Sequence, residues 1–335
     1  MTQTVDDILL YVEREFPRWL ADREENLDAW TMEDLENWLV DKKDAVLSVG
    51  DKQGYLSQTA LKRFIFESRG KVPDMALIST ATRLALPQFL YAIGVQKRNT
   101  NSGIMFKEFV RALTLATTLG WRDHAELHAR LGLQELMKHS IERGKRYGGA
   151  LGQGISLHRY NFMIMDVFKD FLGAEKTSTQ TPWRTEFHDK YGGYGGWAEI
   201  AANWRVPDPN AFAEILNRAA DYHVAQSRDM VTKGSKYDST LKETHFEVEG
   251  NEFWLLPVIL FTFLRLREWE GLTNPGYLSH DLFRKGVFRE LPPAPRAAPY
   301  WPPNPFFDQI DAKFRAENPE TPSLADLPRL RAAQS

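Results

Sequence analysis

The chain has 335 residues, with 42 Lys or Arg and 45 Asp or Glu, and a formal charge of −3. This balance disfavours a strongly basic nucleic-acid-binding protein. The absence of cysteine excludes disulfides, thiolate metal sites and cysteine nucleophiles. A hydrophobic content of 43% is typical of a globular chain. We therefore expect a folded protein with one large domain or two moderate ones.

Negative charge is concentrated at the N-terminus. Residues 1–44 contain 13 acidic and 5 basic residues, a net charge of −8. Apolar residues recur there at helical spacing, first at Ile8, Val12 and Phe16 and then at Leu35 and Trp38. This pattern predicts an acidic arm of two amphipathic helices. Thr31, followed by Asp34, predicts a cap at the start of the second helix.

No segment is typical of export or membrane insertion. The first ten residues contain Asp6 and Asp7 but no Lys or Arg, whereas a secretory signal begins with positive charge. The longest apolar run, Phe253–Leu266, is shorter than the roughly 20 residues of a membrane span and contains Pro257. We expect a buried helix at this run, no membrane partner and a cytoplasmic location.

The rest of the chain also shows mostly helical patterns. Pro87 is expected to kink or split the helix that contains it, because proline lacks a backbone donor. A short strand is predicted at residues 244–248. Helices are predicted at 56–68, 74–95, 105–119, 123–143, 156–172, 209–231, 251–269 and 308–317.

Composition suggests how these elements are organised. Glycines between 144 and 154 mark a soft boundary between helical regions at 1–145 and 155–290, although a long loop within one domain fits equally well. Ten of the 18 prolines lie between 292 and 328. The predicted fold is therefore a mainly α, irregular multi-helix assembly, with an acidic N-terminal arm and an extended, Pro-rich tail at 291–335 that wraps along the domain surface.

Two histidines form the pattern most like an enzyme site. His124 and His128 are four residues apart on a predicted helix, so one metal ion could bind both. Glu126 lies on another face, and no third ligand is indicated. We favour partly buried surface histidines, and keep a metal-dependent hydrolase as the alternative. A triad of Asp221, His223 and Ser227 is disfavoured, because residues two apart on a helix point in different directions.

A glycine-rich segment at 190–197 carries three aromatic residues. Tyr191, Tyr194 and Trp197 are compatible with core packing, with protein binding or, less well, with nucleic-acid stacking. Acidic residues nearby disfavour a basic groove for nucleic acid. We retain the three side chains as candidate aromatic anchors for a protein partner.

Two segments resemble bacterial immunity proteins, the antitoxins encoded beside polymorphic or type VI secretion effectors. They are EFWLLPVILFTFLRLREWEGL at 252–272 and RAADYH at 218–223. The resemblance covers about the C-terminal 120 residues and depends on the general residue pattern rather than on an invariant motif. It implies a helical, non-catalytic protein without a cofactor, which binds a toxin and blocks its active site.

The acidic arm fits such a role if the toxin is a nuclease, because a basic nucleic-acid groove attracts a complementary negative surface. A solvated helix face explains the same acids equally well. The predicted function is a non-catalytic immunity protein, and a helical scaffold is a further alternative. The candidate partner-binding acids are Glu24, Glu25, Asp28, Glu33, Asp34 and Glu36.

Overall fold

The computed structural model describes residues 3–40, 47–96, 106–147, 159–173, 193–227, 248, 250–296 and 300–327. These residues are mainly helical, and no strand occurs among them. The predicted fold class is therefore confirmed. Of the strand predicted at 244–248, only residue 248 is described, and it is not in a strand.

Each predicted helical segment contains a helix. In the first part of the chain they are α1 (Val5–Asp22), α2 (Ala29–Leu39), α3 (Leu47–Ser68), α4 (Met75–Gln96), α5 (Phe106–Thr118) and α6 (Arg122–Tyr147). In the second part they are α7 (Arg159–Phe171), α8 (Ala198–Asn203), α9 (Pro209–Gln226), α10 (Val258–Trp269), α11 (Asp281–Arg284) and α12 (Pro305–Glu317). Single 3-10 turns occur at Gly195–Trp197 and Asn251–Phe253. However, α3 begins nine residues before its predicted start and α10 begins seven residues after its own. The short helices α8 and α11 were not predicted.

The chain forms two compact units. Unit 1 comprises Met1–Leu9 and Glu126–Leu291, and unit 2 comprises Leu10–Ala125 and Pro292–Ser335. The predicted regions 1–145 and 155–290 do not coincide with these units, because α6 begins in unit 2 and continues in unit 1. Leu291 is the last residue of unit 1, and Pro292–Ser335 belongs to unit 2.

The N-terminal arm is one helical run rather than two separately capped helices. A π-helical segment, Arg23–Asp28, joins α1 directly to α2. Thr31 is buried inside α2, so the prediction that it caps this helix is wrong. The physical reason is that no glycine or proline lies between α1 and α2 to end the helix.

Two glycines let α3 and α4 approach closely in unit 2. A Cβ at Gly50 would lie 3.1 Å from the Gln88 Cα, and one at Gly54 would lie 2.7 Å from the Gln88 Oε1. Pro87 lies inside α4, which runs unbroken from Met75 to Gln96. The helix is therefore not split at Pro87, and the other predicted outcome, a kink, stays a prediction.

The Pro-rich tail is fixed to unit 2 by buried apolar side chains. Asn304 caps α12 by accepting hydrogen bonds from the backbone N–H groups of Phe306 and Phe307, and Pro305 follows at the first helical position. Ile310 and Phe314 of α12 are fully buried. Burial of these side chains offsets the entropy lost when the tail is ordered.

The core of unit 1 contains the longest apolar run of the chain. Every residue of α10 from Val258 to Arg267 is buried, which confirms the predicted buried helix. Among the described residues, no helix is long and apolar enough to cross a membrane.

Candidate partner-binding surface

Two of the six candidate acids attach the arm to α3. Asp34 forms an ion pair with Lys52, and both side chains are almost buried. The Thr59 hydroxyl donates a hydrogen bond to the Asp28 Oδ1 at 3.1 Å. Because these contacts are internal, Asp28 and Asp34 hold the arm in place rather than presenting free carboxylates.

Two other acids remain available to a partner. The side chains of Glu33 and Glu36 on α2 are exposed. Glu24 and Glu25 lie in the π-helical segment, and their side chains are outside the described part of the structure. Of the six candidate acids, Glu33 and Glu36 are therefore the two whose described side chains are exposed.

An exposed aromatic residue borders these carboxylates. Trp30 is 55% exposed, and Val40, just after the end of α2, is 62% exposed. At 100° per residue, Trp30, Glu33, Glu36 and Val40 fall within a 120° arc opposite the buried Leu35. We call these four residues the α2 outer face.

A lysine of α3 lies against the ring of Trp30. The Lys52 Nζ lies 5.4 Å from the centre of the Trp30 ring, within the range of a cation–π contact. Tyr55, one turn further along α3, is 42% exposed. Lys52 thus contacts both Asp34 and Trp30, and joins the acids to the exposed aromatic surface.

Sequence reasoning missed Trp30. The signal was present, because Trp30 lies out of phase with the buried positions Thr31, Leu35 and Trp38 of the same helix. A large aromatic residue on the polar side of an amphipathic helix is the kind of exposed apolar group that marks a contact surface.

The structure corrects the predicted role of the aromatic rings in the glycine-rich segment. Trp197 is fully buried and Tyr194 is 8% exposed, so the prediction that these two rings are exposed anchors is wrong. Tyr191 lies outside the described residues. The Tyr194 hydroxyl donates to the Asp166 carboxylate inside unit 1. Core packing, the other interpretation of this segment, accounts for both rings.

Close packing explains the glycines around these rings. Gly195 has a positive φ of 58°, and a Cβ at Gly196 would lie 2.3 Å from the ring of Tyr222. Residues with a side chain would be strained or would clash at these two positions. Within residues 193–197, glycine thus allows a tight turn against α9 rather than an adaptable binding loop.

His124 has a structural role inside unit 2. Its Nε2 lies 2.7 Å from the Leu324 carbonyl oxygen, so the ring donates a hydrogen bond to the tail. The ring also stacks on Trp301, with centroids 5.0 Å apart and planes at 11°. His128 is buried as well. The prediction that both are partly buried surface histidines is wrong, because both rings are fully buried.

The described residues contain no metal-binding group, and Asp221, His223 and Ser227 do not form a triad. No group of three or more His, Asp or Glu side chains among them is placed to hold a metal ion. The Ser227 hydroxyl donates to the His223 carbonyl oxygen at 2.8 Å, not to its ring. The Asp221 carboxylate instead lies 3.0 Å from His280.

The residues that resemble immunity proteins lie mainly in the core of unit 1. His223 Nε2 donates to the Trp254 carbonyl oxygen at 3.2 Å, which links the two segments of the resemblance. Comparisons with protein-family models, curated proteins and solved structures found no match.

Proposed function

We propose that this chain is a non-catalytic immunity protein, which acts in the cytoplasm by binding a cognate secreted toxin and blocking its active site. The observation that carries the proposal is the α2 outer face, where Trp30 is exposed beside Glu33 and Glu36. The resemblance of residues 218–223 and 252–272 to immunity proteins supports the choice of a toxin as the partner.

The chemistry of this face defines its partner. Trp is enriched at the energetic centres of protein interfaces, where it fills an apolar pocket. Exposed carboxylates steer a positively charged surface toward the pocket and raise the association rate. A nuclease presents such a surface, because its groove binds phosphates. The proposed partner is therefore a nuclease toxin with an apolar pocket beside its basic groove.

The test starts by capturing a partner with the tagged chain in its native host and expressing that partner alone. The captured partner should be toxic and degrade nucleic acid, and the chain should suppress both effects. The Trp30→Ala chain should then bind it about 30-fold or more weakly, since truncation of a hot-spot residue costs about 2 kcal/mol or more.

Charge reversal provides a second arm with a matched control. Glu33→Lys with Glu36→Lys should slow association and reduce its dependence on salt. Glu67→Lys with Glu290→Lys makes the same change in net charge at exposed positions outside the α2 outer face. Equal effects of the two double variants, or full affinity of the Trp30→Ala chain, would contradict the proposed interface. A captured partner with no toxic activity would contradict the proposed function.

A further inference from the structure

The end of α2 is held by a lysine from the distant tail. The Lys313 Nζ of α12 donates to the carbonyl oxygens of Trp38, at 2.6 Å, and Leu39, at 3.2 Å. The same ammonium lies 4.9 Å from the centre of the Trp38 ring. The last carbonyls of a helix lack partners within the helix, and a cation there also interacts favourably with the helix dipole.

α12 is itself anchored to α4 by a buried arginine. The Arg83 side chain is 2% exposed, and its Nη1 donates to the Pro302 carbonyl oxygen at 2.6 Å. Its Nη2 donates to the Asp308 Oδ1 at 2.7 Å. One guanidinium thus holds both the extended segment before α12 and its first turn.

A second residue of α4 anchors the middle of α12. The ring of Tyr91 stacks on Phe314, with centroids 3.9 Å apart, and its hydroxyl donates to the Asp311 carboxylate. In the sequence, Lys313 lies between Asp311 and Phe314, the two residues that contact Tyr91. Its position relative to the end of α2 is therefore fixed by packing within unit 2.

We infer that the C-terminal tail is a brace that orders the α2 outer face, with Lys313 as the positioning residue. Without the ammonium, the Trp38 and Leu39 carbonyl oxygens lose a charged donor and the turn that carries Glu36 and Val40 frays. Any event that detaches the tail would thereby weaken the partner-binding surface. This last consequence rests on the proposed function.

Hydrogen exchange of the full chain tests the brace without a partner. Lys313→Met keeps an apolar stem against Trp38 but removes the donors. Amides 36–40 should exchange about tenfold faster, since hydrogen bonds to charged groups contribute roughly 1.5 kcal/mol or more. Exchange in α9 of unit 1 should not change. Lys313→Arg should restore slow exchange, because a guanidinium can also donate to both carbonyls.

Gln309→Met is the matched control, because residue 309 is exposed on the same helix. It should leave amides 36–40 unchanged. Unchanged exchange of these amides in the Lys313→Met chain would overturn the brace. So would an equal acceleration in Lys313→Met and Lys313→Arg, because that result would show a general loss of packing.

Binding of the captured toxin separates this inference from the proposed function. Helix ends open with free energies near zero. If the opening equilibrium constant rises from about 0.1 to 1, the competent fraction falls to about half and the affinity falls about two-fold. Faster exchange with unchanged affinity would support the brace and contradict the α2 outer face as the interface. Unchanged exchange with lower affinity would overturn the brace alone.

Discussion

Two buried arginines, one in each unit, are held in different ways. In unit 1, the Arg267 guanidinium is fully buried and donates to the carbonyl oxygens of Trp204, Val206 and Thr273 at 2.6–2.7 Å. In unit 2, Arg83 pairs with the carboxylate of Asp308 on the tail. One buried guanidinium is thus held by backbone oxygens, whereas the other is held partly by an opposite charge.

The distance along the chain between the partners also differs. Arg267 is at most 63 residues from the carbonyls it binds, whereas Arg83 and Asp308 are separated by 225 residues. Arg267 thus fixes nearby loops of unit 1, whereas Arg83 retains the tail within unit 2. The contrast teaches that the unit with the proposed interface holds its C-terminal tail through a buried arginine.

The largest effect is expected at Arg267. Arg267→Met should destabilise the protein by about 3–5 kcal/mol, because it leaves several buried carbonyl oxygens without donors. Denaturant unfolding monitored by circular dichroism measures the change. Arg284→Met is the control at an exposed position and should cost about 0.5 kcal/mol or less. Equal losses of stability in the two variants would show that the buried hydrogen bonds of Arg267 do not stabilise unit 1.

A smaller effect is expected from the buried histidine of unit 1. Burial lowers the pKa of His223 to about 4, whereas hydrogen bonding to the Trp254 carbonyl opposes the shift. The neutral ring is thus favoured on folding. Its contribution, about 3 kcal/mol at most, is complete above the unfolded pKa of 6.5 and is lost as the pH falls through 4.

The His223→Gln variant tests this contribution, because its amide can still donate to the carbonyl but does not titrate. Between pH 4 and 6.5, its unfolding free energy should lack the rise with pH that His223 contributes to the wild type. An NMR titration of the wild-type ring measures the pKa itself. A ring that titrates near 6.5 in the folded protein would show that burial does not control it.

The smallest effect is expected from the opposite titration in unit 2. Burial raises the pKa of Asp311 to about 6, whereas the hydrogen bond from Tyr91 opposes the shift. The protonated carboxyl is thus favoured on folding. Its contribution is complete below the unfolded pKa of 3.8 and is lost as the pH rises through 6.

Asp311→Asn should therefore raise the unfolding free energy at pH 7 by at most about 3 kcal/mol. It should also make the unfolding free energy rise more steeply with pH between 4 and 6, because the opposing contribution of Asp311 is removed. Urea unfolding at constant ionic strength measures both changes. Between pH 4 and 6, His223 and Asp311 change the unfolding free energy in opposite directions. Replacing either residue should therefore make the contribution of the remaining one visible. A lower free energy of unfolding for Asp311→Asn at pH 7 would contradict the assigned sign.

Short-range patterns determined the helical fold. Apolar spacing predicted both ends of α4 and of α5 to within one residue, because a helix face repeats every 3.6 residues and is visible locally. Composition alone also marked the tail. The candidate surface was found in part, since Glu33 and Glu36 are exposed as predicted but Trp30 was missed.

Only the tertiary structure decided which candidate groups are available. Asp34 and Glu36 look equivalent in the sequence, yet Asp34 is paired with Lys52, 18 residues away, and Glu36 is exposed. Lys313 reaches the end of α2 from 275 residues away. Such contacts depend on how helices pack, and local periodicity fixes which face of a helix is buried but not which residue meets it.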